Sequence, residues 1–147
     1  MQKKKILLVE DSRDDILLIQ RAFNKTKLAE KFDLIVAQDG NQALSYLHDT
    51  DISSVTQHGK IPMILLLDLN LPKMNGFEIL QRIRSDEKTK LIPVIVFTSS
   101  KENQDITRSY LLGANSYVRK PIDSEKFTLI LQQIISYWGD VNELPVK

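Results

Sequence analysis

The chain has no cysteine among its 147 residues. Disulfides, zinc–thiolate sites and thiol catalysis are therefore excluded, and the absence fits a reducing compartment. Neither sign of charge dominates: 20 Lys and Arg stand against 19 Asp and Glu, a formal net charge of +1. That balance argues against a nucleic-acid partner, because there is no surplus of cations to neutralise a run of phosphates. Long apolar runs are missing too. Nothing approaches the ~18 apolar residues of a membrane span, so no membrane association is expected. The Lys3-Lys4-Lys5 start leads only into Ile6 to Val9 before Glu10-Asp11 ends the stretch, which is short of the roughly 7–15 apolar residues of a secretory signal. The cytoplasm is the default address. Neither G-x-G-x-x-G nor G-x-x-x-x-G-K-[ST] occurs, so a nucleotide or flavin binder of the usual kinds is a poor reading. What remains is 42% hydrophobic and 27% charged, as in an ordinary soluble domain, and the length suits a single core.

Two kinds of segment alternate along the chain. Short unbroken apolar runs fall at Ile6–Val9, Leu34–Ala37, Met63–Leu67 and Val94–Phe97, with a weaker one at Ser116-Tyr117-Val118. Runs of this length without alternation predict strands buried on both faces of a parallel sheet. Between them lie stretches at helical spacing. The first carries Ile16, Leu18, Ile19, Ala22 and Phe23 behind a Ser12 N-cap with Asp15 three residues on. The others are marked by Ala43, Leu44 and Leu47; by Phe77, Leu80 and Ile83; by Ile106, Tyr110 and Leu111; and by Phe127, Ile130, Leu131, Ile134, Ile135 and Trp138. Five strands alternating with five helices predict an α/β fold, a flavodoxin-like (βα)5 doubly wound parallel sheet, for which strand order 2-1-3-4-5 is adopted. Residues 1–138 form the expected domain and 139–147 a short C-terminal tail. The polar connection Asp49–Lys60 is expected as an exposed loop or helix extension.

Ligands of open α/β sheets bind at the carboxyl ends of the strands, so the residues that end the strands matter most. The first strand ends in Glu10-Asp11, the third in Asp68, the fourth in Thr98 with Ser99 and Ser100, and the fifth in Lys120. Three acids, a hydroxyl and an amine converge there. Clustered carboxylates repel one another, and Mg2+ is the natural compensator, taking one or two carboxylates, waters and a phosphate oxygen. Glu10, Asp11 and Asp68, with a backbone carbonyl just past Asp68, supply such a set. The missing component is an anion with several oxygens, and a phosphoryl group fits. Asp68, ending the most apolar strand, is the candidate nucleophile, since a carboxylate can form an acyl phosphate. Lys120 and the metal would neutralise the transferred charge.

These residues resemble the response-regulator receiver domains. The resemblance rests on Ile6-Leu7-Leu8-Val9-Glu10-Asp11, on Asp68-Leu69-Asn70-Leu71-Pro72-Lys73-Met74-Asn75-Gly76, on Val96-Phe97-Thr98-Ser99 and on Lys120-Pro121, and it covers residues 4 to about 138. It implies that Asp68 is the phosphoacceptor, that Asp11 binds Mg2+ directly, Glu10 through a water and Asn70 through its backbone carbonyl. It further implies that Thr98 bonds the phosphoryl oxygen, that Lys120 pairs with it, and that Tyr117 reports the state of Thr98. Gly76 would relieve crowding as the loop enters the third helix, and Lys120-Pro121 would be a cis bond. The donor would be a sensor histidine kinase. With only a short tail after the domain, output is expected through phosphotransfer, another protein or dimer formation. The Asp49–Lys60 connection and the tail look similar to stand-alone regulators paired with bacterial phytochrome-type kinases, which makes a homodimer a further expectation.

Two rivals are weaker. Haloacid-dehalogenase-type phosphatases resemble a pattern with a second acid two residues after the nucleophile, where this chain has Asn70, which has no proton to trade. A degenerate receiver acting only as a docking module would have lost one of the five positions, and all are filled. His48 and His58 have no Cys or His at ligand spacing and read as surface residues.

Overall fold

The computed structural model describes residues 3–49 and 61–145. Its five strands are β1 (Lys4–Val9), β2 (Phe32–Ala37), β3 (Pro62–Leu67), β4 (Val94–Thr98) and β5 (Ser116–Arg119). They form one sheet in the order β2-β1-β3-β4-β5, with every neighbouring pair parallel. The chain winds from β1 outward to β2, then returns past β1 to β3. The crevice of such a sheet therefore opens between β1 and β3.

The unbroken apolar strands bury both faces, because alternate residues serve different cores. Ile6, Leu8, Ile64, Leu66, Ile95 and Phe97 face α1 (Arg13–Lys25) and α6 (Ser124–Ser136), meeting Ile19, Phe23, Phe127, Leu131 and Ile135. Leu7, Val9, Leu65, Leu67, Val94 and Val96 face the opposite side. There they meet Ala43 and Leu47 of α3 (Gly40–Asp49) and Phe77, Leu80 and Ile83 of α4 (Gly76–Ser85). The side-chain period of two along a strand explains how one apolar run feeds two cores.

Several details depart from the sequence reading. A one-turn helix α2 (Leu28–Lys31) intervenes between α1 and β2, too short to show a 3.6-residue period. Helix α5 (Asn103–Leu111) is present, yet Tyr110 and Leu111 are 50% and 81% exposed. The residue it buries is Ser109, whose hydroxyl donates to the Asp105 carbonyl at 2.8 Å; the self-bonded hydroxyl lets a small polar side chain lie inward while the large ones face water. The expected connection 49–60 falls, after Asp49, outside the described residues, as does His58. His48 is exposed, with Nδ1 3.9 Å from the Asp86 carboxylate.

The segment after α6 makes a π-helical turn, Tyr137–Val141, and stays against the domain. Trp138 and Leu144 pack on the α1/α6 core. Gly139 lies so close to β2 that a methyl in place of its hydrogen would stand 2.5 Å from Phe32 Cζ. Its carbonyl accepts from Lys4 Nζ at 3.3 Å.

Candidate functional site

The ends of the strands are set by the ladder itself. Val9 is level with Ala37 on one side and Leu67 on the other. The pairing continues one residue further, with Glu10 N–H donating to Ala37 O and Asp68 N–H donating to Val9 O, each at 3.0 Å. On the far side Lys120 N–H donates to Thr98 O at 2.8 Å. Backbone hydrogen bonds thus fix Glu10, Asp68, Thr98 and Lys120 at one edge of the sheet.

Their side chains converge. Carboxylate oxygens of Glu10, Asp11 and Asp68 all lie within 4.8 Å of one another. Glu10 is 1% exposed, Asp68 is 6% exposed, and Asp11 is open to solvent. Asp68 Oδ1 accepts from Leu69 N–H at 2.9 Å, which turns the second oxygen, Oδ2, toward Lys120 at 3.8 Å. Glu10 Oε2 accepts from Ser12 N–H at 3.1 Å, and Oε1 is in direct contact with the Lys120 ammonium. Burial and the neighbouring Asp68 charge raise the Glu10 carboxyl to about 7, against the opposing pull of Lys120 and the Ser12 N–H. For Lys120, burial alone would depress the ammonium; Asp68, Asp15 and Glu10 together outweigh it and leave the pKa raised. The amine is a permanent cation at neutral pH.

Asp15 is the residue that sequence reasoning missed. It was legible only as a member of the first turn of α1, where its N–H donates to the capping Ser12 Oγ at 3.3 Å. In the fold its Oδ2 takes a hydrogen bond of 2.7 Å from Lys120 Nζ. One helical turn past Asp11, it reaches the site from above.

The loop after Asp68 is held in a tight reversal. Gly76 N–H donates to Leu69 O at 2.9 Å, and a methyl at Gly76 would lie 2.5 Å from the Asp68 carbonyl oxygen and 2.8 Å from Leu69 Cα. Only glycine fits that approach, in line with the sequence expectation. Within the same loop Lys73 adopts a left-handed backbone (φ 67°), an uncommon conformation for a residue with a Cβ. Asn70 is exposed at the loop's start, one residue past the buried Leu69. Asn75 caps α4 by accepting from Glu78 N–H at 3.1 Å.

Thr98 is completely buried, and among the described residues its Oγ1 is the buried side-chain polar atom without a hydrogen-bond partner. A buried hydroxyl left unpaired is unfavourable and marks a position where a partner belongs. Tyr117, half-buried on β5, donates from its phenol to Ser100 O at 3.0 Å; burial pushes that phenol up. Ser100 in turn donates its hydroxyl to Asp105 Oδ2 at 2.7 Å. The Lys120-Pro121 peptide is not cis: among the described residues no peptide bond is, and trans is the isomer a free X-Pro bond favours.

Of the residues singled out from sequence, the side chains of Glu10, Asp11, Asp68 and Lys120 meet, joined by Asp15, while Thr98 is placed by its backbone at the same edge of the sheet and Tyr117 is bonded to Ser100 O. Three oxygen donors and an orphaned hydroxyl suit a hard divalent cation with a phosphoryl oxygen. Residues 6–132 match the family model of the response regulator receiver domain. The chain belongs to the response-regulator receiver family. This receiver is 37% identical over 142 residues to the probable methanogenesis regulatory protein FilR2 of Methanothrix harundinacea, spanning 95% of this chain and 86% of that protein. It is 35% identical over 142 residues to the response regulator Rcp1 of Synechocystis sp., at 97% and 93% of the two chains. The solved structure of the Mn2+-bound form of Rcp1 superposes with a TM-score of 0.82, covering 97% of this chain and 99% of that one. The phosphorylated cyanobacterial phytochrome response regulator RcpA superposes with a TM-score of 0.85 at 36% identity, covering 98% of this chain and 99% of that one. The receiver shares their flavodoxin-like fold, a single five-stranded parallel sheet wound on both faces. As a response regulator it is a component of two-component signalling and not a conventional metabolic enzyme.

Proposed function

We propose that this receiver accepts a phosphoryl group on Asp68 from a sensor histidine kinase and thereby switches its protein partners. The observation that carries the reading is the meeting of Asp68 with Glu10, Asp11 and Lys120, at the end of the sheet where the strand beside Asp68's own ends in a buried Thr98 hydroxyl with no partner. Asp68 Oδ2, the oxygen not engaged by Leu69 N–H, attacks phosphorus. The P–N bond of a phosphohistidine, or the P–O bond of a small acyl phosphate, breaks, and its electron pair leaves with the imidazole or the carboxylate. Glu10, Asp11, Asp68 and the Asn70 carbonyl are the groups that would hold Mg2+. When bound, the ion neutralises charge on the transferred group. Lys120 supplies a second positive charge, and Thr98 donates to a phosphoryl oxygen.

The phosphoryl group adds roughly −1.5 to −2 of charge and three acceptor oxygens. Thr98 moves toward it, and Tyr117 turns into the space released, exchanging its bond to Ser100. The face formed by α5, β5 and α6 then changes its partner preference, a population shift limited by how differently the phosphoryl group interacts with the two states. The likeness to Rcp1 and RcpA supports a phytochrome-type kinase as donor, in the cytoplasm. The exposed Tyr110, Leu111 and Leu129 of α5 and α6 support a protein partner or a second copy on that face. Residues 1–138 are the receiver unit and 139–147 a tail, of which Gly139 and Leu144 lie against it.

Intact-mass analysis after incubation with Mg2+ and acetyl phosphate tests the chemistry. One phosphoryl adduct that needs Mg2+ and vanishes in Asp68→Asn is expected. A folded protein that takes neither phosphoryl nor beryllofluoride refutes it.

A further inference from the structure

Lys120 does not sit on the acceptor. Its ammonium touches Glu10, lies 2.7 Å from Asp15 Oδ2 and stands 3.8 Å from Asp68 Oδ2. The third distance is beyond a hydrogen bond. An ammonium has three N–H donors; two are taken by Glu10 and Asp15, and the third is left on the side of Asp68. Resting on the phosphoacceptor reading above, we infer that Asp15 is a positioning residue that holds Lys120 off Asp68, keeping the acceptor oxygen free and one N–H in reserve for the incoming phosphoryl group.

The reasoning follows from where the charges lie. Asp68 and Glu10 are both buried, so an ammonium between them is drawn strongly to each. A contact ion pair with Asp68 would occupy the lone pairs that must attack phosphorus and would compete with a cation for the same oxygen. Asp15 counters this collapse because its carboxylate, from α1, holds the ammonium at 2.7 Å while Asp68 Oδ2 stays at 3.8 Å. Its side chain is 28% exposed, so water stabilises its charge whether or not Lys120 moves, and the tether can yield when a phosphoryl oxygen arrives. Ser12 makes the arrangement rigid: its N–H holds Glu10 Oε2 and its hydroxyl holds Asp15 N–H. A four-residue turn, Ser12 to Asp15, thus positions both carboxylates that carry the lysine. During transfer Lys120 stays protonated and exchanges no proton; only the P–O or P–N bond and the new Asp68–phosphorus bond change.

Asp15→Asn keeps the shape and removes the charge. The maximal rate of phosphorylation by acetyl phosphate with saturating Mg2+ is expected to fall at least fivefold, with the half-saturating acetyl phosphate concentration changed less than twofold. Mg2+ affinity, measured by calorimetry in a two-by-two cycle with Lys120→Met, isolates the route. Asp15→Asn should weaken Mg2+ binding several-fold when Lys120 is present, because the freed ammonium falls onto Asp68, and less than twofold in the Lys120→Met background. An equal loss in both backgrounds would mean a remote charge effect and overturns the inference, as does an unchanged or faster phosphorylation rate in Asp15→Asn. Failure of the parent protein itself to take a phosphoryl group overturns the underlying reading and this inference with it.

Discussion

Replacing Lys120 by Met removes the ammonium that faces Glu10, Asp15 and Asp68 and leaves the two buried carboxylates without it. Breaking one side of a buried ion pair destabilises by about 3–5 kcal/mol, but here the size depends on pH. Glu10 already titrates at about 7 instead of 4.5. A carboxyl whose folded pKa is raised contributes its full stability below its unfolded value and loses it as pH rises through the folded one. In the metal-free parent that loss is complete near pH 7. Without Lys120, which pulls the Glu10 pKa down, that pKa rises further, so the loss continues upward at no more than about 1.4 kcal/mol per pH unit. The variant should therefore trail the parent already at pH 6, where the ammonium's contacts with Asp15 and Asp68 are lost, and the gap should widen above pH 7 by up to about 1.4 kcal/mol per pH unit. Urea unfolding followed by the fluorescence of the single tryptophan, Trp138, with a chelator present, measures the gap. Saturating Mg2+ should narrow it, since a cation that binds only the folded site stabilises that state. A gap that is equal at pH 6 and pH 9, or that Mg2+ widens, would refute the electrostatic account of the site.

Three further outcomes follow from single contacts. Thr98→Val should stabilise the unphosphorylated protein by about 1 kcal/mol, because it replaces an unpaired buried hydroxyl with a methyl of the same shape; Asp68 should still be phosphorylated while the partner response weakens, as pull-down of the phosphoprotein would report. Gly76→Ala gains up to about 1 kcal/mol of helix propensity but forces a methyl to within 2.5 Å of the Asp68 carbonyl. The net should be a loss of about 1–3 kcal/mol in denaturant unfolding, with slower phosphorylation. Arg84→Met removes guanidinium bonds to the carbonyls of Lys90, Ile92 and Gly113 and to Asn115 Oδ1. A loss of about 2–4 kcal/mol in stability, with phosphorylation by acetyl phosphate within twofold of the parent, is the expected result.

The strands were readable because burial on both faces leaves an unbroken apolar run, as in Met63–Leu67, and the acids were readable because each interrupts such a run at its carboxyl end. Parallel pairing then places those ends together whatever the loops do. Other features leave no trace in a one-dimensional pattern. Helix α2 is one turn long, shorter than the period that would reveal it. The α5 stripe located the helix but not its buried face, because Tyr110 and Leu111 are apolar without being inward. The closeness of Gly139 to Phe32 and the fourfold grip of Arg84 join residues far apart in sequence. Asp15 had a sufficient local explanation in the cap of α1, and that concealed its longer reach to Lys120.

The hydrogen bond from Lys4 Nζ to the Gly139 carbonyl ties the beginning of β1 to the turn that follows α6, at the end of the sheet away from the acids. The start of β1 and the turn after α6 therefore share the floor of the sheet. A dye, an affinity handle or a bead attached at the exposed Lys4 stands a strand length from Glu10, and the protein so tethered presents its carboxylate edge outward to whatever is passed over it. Immobilised kinase-binding and phosphotransfer measurements can thus be made without the attachment shielding the surface that they are meant to read.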